Sequence, residues 1–300
     1  MNFKMKTIIP FALSLPLMVA GVNAEERDVR VSLGEAGQYN AFVFNDFNAP
    51  SSKVEGRIAV GGNLNIDGYS VADKLPMSDD GFSVVVGGDA TYPTGRVYAG
   101  HVLVGGSAQN IGNAVRFGLT QEQVLWDNID LPFNFDNVRT ELLNKSAELS
   151  LLANTGTVEI KWGGLYLTGD CQSDLQVFNV NGADILNSHT FDVSCIPDNA
   201  SVIINISGQA PGFSNVSLST LTKHRNRVLY NFYEATSLTL RGVYVEGSVL
   251  APYADISNPS GTVNGTLIAN SWNGTMSFSL QPFEAYNEGY KQCEGIVLPL

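Results

Sequence analysis

Two stretches near the end of the chain carry the same alternation of apolar and polar positions. Val243–Ala251 (VYVEGSVLA) and Gly261–Ala269 (GTVNGTLIA), eighteen residues apart, align residue by residue: Val245 with Val263, Gly247 with Gly265, Val249 with Leu267 and Ala251 with Ala269. Between them fall Glu246 over Asn264, Ser248 over Thr266 and Leu250 over Ile268. Apolar or glycine positions thus alternate with mostly polar ones at the period of a β-strand, with the second set expected to face outward.

An earlier set repeats the pattern. Arg57–Leu64 (RIAVGGNL), Ser83–Ala90 (SVVVGGDA) and His101–Ala108 (HVLVGGSA) align on Gly61, Gly87 and Gly105, at intervals of 26 and then 18 residues. The eight extra residues are expected to form a loop in the turn-rich run Asp73–Gly81 (DKLPMSDDG). A strand recurring at this interval cannot bury its apolar face alone, whereas stacked copies share one core. The pattern predicts a parallel β-solenoid, a β-helix with rungs roughly 4.8 Å apart and glycines at corners where backbones pack closely.

The period changes between Leu119 and Leu152. After Pro132, the residues Phe135, Val138, Leu142, Leu149 and Leu152 fall on helical spacing, with Asp136 as N-cap and Asn154 and Gly156 beyond the end. The fold class expected is therefore all-β with one long α-helix, which lies along the solenoid and covers an apolar side. Val29–Phe47 reads as a cap over the open end of the coil, where unpaired backbone needs cover.

Lys4 and Lys6 precede an apolar run, Ile8–Ala20, and small residues lead up to Ala24. These mark a signal peptide cleaved between Ala24 and Glu25, leaving residues 25–300 as one exported domain. No later stretch is long and apolar enough to span a membrane. Loss of the leader takes the net charge from −12 to −14. Such acidity disfavours nucleic acid and anionic lipid as partners.

Three cysteines fit an oxidising compartment. Cys171 and Cys195 flank a strand-like segment and are the candidate disulfide, which leaves Cys293 free or intermolecular. The cysteines lack CxxC spacing and His101, His189 and His224 lie far apart, which argues against zinc.

Tyr39–Gly62 (YNAFVFNDFNAPSSKVEGRIAVGG), the helical region from Phe133 and Val245–Ala269 together resemble the choice-of-anchor A family of secreted or surface adhesins. The resemblance implies a β-helix of the ice-binding-protein type with a helix alongside, and attachment rather than catalysis. It supplies no catalytic residues. After Phe283 neither an LPxTG-type sorting signal nor a hydrophobic span with a basic end is present, so release, or retention through another protein, is expected.

Candidate chemistry is sparse. Asp67, Asp89, Asp170, Asp184, Asp192 and Asp255 are the carboxylates a polysaccharide-active enzyme could use, but each sits at a Gly or Asn turn and no pair recurs at rung spacing. Calcium is the one ion the acidity admits, at Asp79-Asp80-Gly81, without an EF-hand or a nonapeptide repeat. Tyr166, Tyr244, Tyr253 and Trp272 are the aromatics that could contact carbohydrate, while Trp162 is expected to cover an edge or the helix contact. The reading is a secreted, non-enzymatic adhesin-like or matrix protein that binds polysaccharide, a surface protein or its own copies through a solenoid face. The alternatives are a polysaccharide-active β-helix enzyme and, third, an ice-binding protein. The mixed outward positions, Thr266 among them, argue against a regular ice-binding array.

Overall fold

The computed structural model describes residues 30–287. The expected leader with its Ala24–Glu25 junction, and Cys293, lie outside them. Val245 pairs with Val263 on one ladder, and Val249, Leu250 and Ala251 pair with Leu267, Ile268 and Ala269 on another. This is the register read from the sequence, and the strands are parallel. In the Gly-Gly set Ile58–Val60 pairs with Val84–Val86, which pairs with Val102–Val104. The corners require glycine: a Cβ on Gly87 would lie 2.2 Å from the carbonyl oxygen of Gly61. Residues 73–81 form the expected excursion between strands Tyr69–Val71 and Phe82–Val86.

Successive turns of chain feed parallel ladders on three sides. The first side holds ten strands, in the spatial order Leu125–Asp127, His101–Val104, Phe82–Val86, Ile58–Val60, Ala41–Val43, Leu267–Asn273, Ser248–Ser257, Val228–Asn231, Ser201–Ser207 and Leu175–Asn181. The second side holds Asn110–Ile111, Ala90–Tyr92, Leu64–Asp67 and Phe47–Pro50, continued by the latter halves of Leu267–Asn273 and Ser248–Ser257. The third runs from Gly95–Val97 through Tyr69–Val71, Lys53–Val54, Ser277–Ser279 and Gly261–Asn264 to Val243–Glu246. The fold is thus all-β, parallel and solenoid-like, with few helices.

The order of these strands overturns one expectation. Residues 41–47 do not cap an open end; they stand mid-stack, with Ala41 paired to Ile58 on one edge and to Leu267 on the other. Among the described residues the chain enters mid-stack, builds outward to Leu125–Asp127, crosses over and builds back from Leu175–Asn181 until its last described turn meets its first. The seam is filled by aromatic rings: Phe47 stacks on Trp272 with centroids 5.9 Å apart and planes 8° from parallel, and Trp272 lies 4.9 Å from Phe278.

The crossing is made by the helix Phe135–Ser150. Its cap is Asn134 rather than Asp136: the Asn134 side chain accepts from the Asn137 N–H at 3.0 Å, so the helix begins two residues earlier than the periodicity suggests. Val138, Leu142 and Leu149 pack on Phe42, Ile268, Leu250, Leu229, Ile203 and Val177, the outer column of the first side. Its 16 residues at ~1.5 Å each reach about 24 Å, the same distance as five strand spacings of ~4.8 Å. The helix therefore spans the strands from Ala41–Val43 to Leu175–Asn181 and covers the side that would otherwise expose those apolar residues.

A polar seam runs beside that contact. Asn179, Asn205 and Asn231 sit on successive rungs, with Asn231 Nδ2 donating to Asn205 Oδ1 and Asn205 Nδ2 to Asn179 Oδ1, each at 2.9 Å. The same amides donate to carbonyls in the helix and just beyond its end, Asn231 to Ser146, Asn205 to Leu149 and Asn179 to Leu152, at 2.7–2.9 Å. Three helical residues rise ~4.5 Å, close to the rung spacing of ~4.8 Å. One amide per rung can therefore meet one carbonyl per helical step.

Candidate binding surface

The positions the sequence marked as outward are covered, Leu250 and Ile268 by the long helix and Glu246 by Arg225 of the short helix Ser219–Arg227. Ser248 and Thr266 are buried, and the Ser248 hydroxyl accepts from the Thr266 N–H at 3.0 Å. Glu246 and Asn264 are buried as well, joined by Asn264 Nδ2 donating to Glu246 Oε1 at 2.9 Å, with Arg225 Nε 2.9 Å from the other carboxylate oxygen. Thr266 therefore cannot belong to a ligand face. This corrects the earlier placement, whose flaw was that the repeat recorded only the strands later covered.

The uncovered register lies on the second side. There the inward residues Phe47, Leu64, Ala90, Ile111, Trp272 and Ile256 alternate with Asn48, Asn65, Thr91, Asn110, Asn273 and Ser257, all partly or fully exposed. Strand register places the outward six in one column: Asn110, Thr91, Asn65, Asn48, Asn273, Ser257. Within it Asn65 Nδ2 donates to Asn48 Oδ1 at 2.8 Å. The column spans about 24 Å, carries no charge, and crosses the seam between Asn48 and Asn273 without a break. Beside it, side-chain oxygens cap the next rung's backbone: Asp46 accepts from the Asn63 N–H, Asn63 from Asp89 and Asp89 from Ser107, at 2.7–2.9 Å. These corner bonds hold the strip's edge in register.

The expected aromatics do not gather. Trp272 is fully buried, its indole N–H donating to the Gly274 carbonyl at 3.1 Å; it is a core residue, and its assignment to carbohydrate contact is corrected. Tyr253 is 47% exposed on the second side, Tyr244 is 67% exposed on the third, and Tyr166 stands on a separate three-stranded sheet. Trp162, expected to cover an edge, instead projects from a hairpin tip at 82% exposure. A groove of 460 Å³ beside Tyr244 is lined also by Ser217, Gly242 and Glu246, and its one carboxylate is already matched by Arg225 and Asn264. A second groove, of 730 Å³, lies at the start of the long helix between Gly61-Gly62 and Phe133–Asp136.

Several of the candidate carboxylates are engaged by hydrogen bonds from neighbouring residues. Asp170 accepts from the N–H groups of Gln172 and Ser173, from the Ser173 hydroxyl and from Gln176 Nε2, and these bonds, the Ser173 and Gln176 side chains foremost, hold its pKa well below the usual carboxylate range. Asp67 accepts from the Thr94 hydroxyl at 2.6 Å and Asp255 from Asn270 and Ser271 at 2.7 and 2.5 Å. At the calcium candidate, Asp79 is taken by Arg57, whose Nη2 donates to both carboxylate oxygens at 2.8 and 2.6 Å. Among the described residues no group of three or more His, Cys, Asp or Glu is disposed to hold a metal. Cys171 and Cys195 are joined as a disulfide, Cα atoms 4.7 Å apart, across neighbouring rung corners.

The strand ladders, the crossing helix and the uncharged strip define the class: an all-β, solenoid-like scaffold with one helix laid along it. A family model described as "Putative Ice-binding-like adhesive domain" matches residues 32–280, and the chain belongs to that family. No match was found among curated proteins or solved structures. Membership points to an adhesin-type role, outside the cell or at its surface, in line with the resemblance carried by Tyr39–Gly62 and Val245–Ala269. Among the described residues no helix is long and apolar enough to cross a membrane.

Proposed function

We propose that the protein is a secreted, non-enzymatic adhesin whose coil is a β-solenoid and whose second side holds an extracellular polysaccharide. The observation that carries this reading is the unbroken column from Asn110 to Ser257. Neutral amides and hydroxyls repeating at ~4.8 Å can exchange hydrogen bonds with the hydroxyls of an extended chain at many points, without burying a charge. The acidic surface around them disfavours polyanions such as nucleic acid. A surface protein or a second copy of this chain is an alternative occupant of the same side. Catalysis is not part of the proposal, because Asp67, Asp170 and Asp255 are each engaged by hydrogen bonds from neighbouring residues.

The family description and the strip's small polar groups support ice as a second reading. Only one threonine, Thr91, stands in the column, which makes polysaccharide the better-supported ligand. The test is to pass the purified protein over immobilised polysaccharides and matrix proteins while assaying new reducing ends and thermal hysteresis. Retention on a polysaccharide without new ends supports the adhesin. New ends would establish an enzyme, and hysteresis without retention would establish ice binding.

A further inference from the structure

Beyond the strip, one end of the molecule presents an aromatic notch that its own folding does not require. The sheet of Thr157–Lys161, Gly164–Thr168 and Thr190–Ser194 opens with an antiparallel hairpin, closed by the Lys161–Gly164 pair and turned by Trp162 and Gly163. Both turn residues have positive φ, +51° and +72°. A two-residue hairpin turn of this hand favours Asn-Gly; asparagine and glycine enter the left-handed region at low cost and a bulky ring does not. Yet the tryptophan buries little there, being 82% exposed. A strained residue whose side chain contributes almost nothing to the core points to a role in contact with something else.

The surroundings say what that is. Tyr166 stands edge-on to Trp162, centroids 6.2 Å apart and planes at 84°, so the two rings form the walls of an L-shaped notch. Lys161 Nζ lies 5.3 Å from the Trp162 ring and 4.9 Å from the Tyr166 ring, and is held by Glu159 at 2.6 Å. Strand register puts Glu159 and Asp192 on either side of Tyr166. His189 packs against the turn, where a Cβ on Gly163 would meet its ring at 2.5 Å. The exposed Trp162 ring offers its face to the C–H side of a pyranose, with the partly buried Tyr166 beside it, and the flanking carboxylates with one ammonium suit its hydroxyls, as acceptors and donor. A uronate or phosphate would be repelled by Glu159 and Asp192, so the sugar is neutral.

We propose that Trp162 and Tyr166 form a glycan subsite that takes a neutral hexopyranose unit, with Glu159, Lys161 and Asp192 binding its hydroxyls. The subsite lies on a different sheet from the Asn110–Ser257 strip and stands whether or not the strip binds polysaccharide.

The test is calorimetric titration of the full protein with cellohexaose, maltohexaose and the hexamer of N-acetylglucosamine, with Trp162→Asn and Ser70→Tyr as variants. The expected result is saturable binding of at least one hexasaccharide, weakened about ten-fold or more in Trp162→Asn. The Tm of that variant should be unchanged or raised, because asparagine suits the turn. Ser70→Tyr, on the third side and outside both proposed sites, should bind the hexasaccharides as the wild type does, so a loss in Trp162→Asn is assigned to the notch. Absence of binding to all three sugars, undiminished binding by Trp162→Asn, or a loss matched by a fall in its Tm would each overturn the proposal.

Discussion

Phe47 lies flat against Trp272, and the contact joins residues from the first and last described turns of the stack. Strand pairing alone would leave this joint held by three short parallel ladders, Ala41–Val43 with Leu267–Ala269, Phe47-Asn48 with Trp272-Asn273 and Val54 with Phe278. The stacked rings fill the core between them. Trp272→Ala should therefore destabilise the fold by about 3–5 kcal/mol, the range for emptying a large aromatic site. A urea denaturation curve measures it, and a cost below about 1 kcal/mol would show that the seam does not depend on the ring.

The asparagine ladder makes a sharper prediction. Asn205→Ala removes one hydrogen-bond partner from each of the Leu149 carbonyl, the Asn231 amide and Asn179 Oδ1. The expected loss is about 1–3 kcal/mol. Asn205→Asp should cost more, since a carboxylate would face the Leu149 carbonyl where the amide donates now. Chemical denaturation of both variants checks the order.

Much of this was legible in the sequence and some was not, for a physical reason. The strand repeats, at intervals of 18 and 26 residues, predicted parallel register, the glycine corners and the 73–81 excursion, and the change to helical spacing predicted a helix laid along the stack, because each depends on local pattern. The direction of stacking depends on which distant edges meet, Ala41 with Leu267, and nothing in residues 29–47 distinguishes a mid-stack strand from a capping one. The neutral strip was missed for the same reason: Asn48 and Asn273 become neighbours only when the seam closes. Trp272 was misplaced because an exposed and a buried tryptophan read alike until its strand's register is known. Trp162 carried the opposite signal, since KWGG between two apolar runs marks a tight turn with its ring outside.

His224 should make the fold sensitive to acid. It is buried, and burial first, then the nearby Lys223 and Arg227 charges, outweigh the pull of Asp198 and lower its pKa. The unfolded chain takes up this proton below about pH 6.5, while the folded chain resists until lower pH. The unfolded state then binds more protons, so the histidine's contribution is full above about pH 6.5 and declines as pH falls. Comparing urea midpoints at about pH 5 and about pH 7.5 should show a loss in the wild type and a smaller one in His224→Leu. Equal losses would remove His224 as the cause.

The Cys171–Cys195 bridge spans 24 residues of sequence. Closing a loop of that length in the unfolded chain is worth about 3 kcal/mol on chain-entropy grounds. Replacing both cysteines with serine should lower stability by that order. Amide exchange should rise most in Gly164–Thr168 and Thr190–Ser194, whose ladder the bridge closes; uniform exchange across the chain would contradict a local staple.

The most direct test of the adhesive surface is retention on the polysaccharide that holds the wild type, comparing Asn48→Tyr/Asn65→Tyr on the second side with Ser70→Tyr on the third. The account predicts that the strip variant loses retention by about ten-fold or more with its Tm unchanged, while Ser70→Tyr behaves as wild type. Equal retention by the strip variant and the wild type would contradict it.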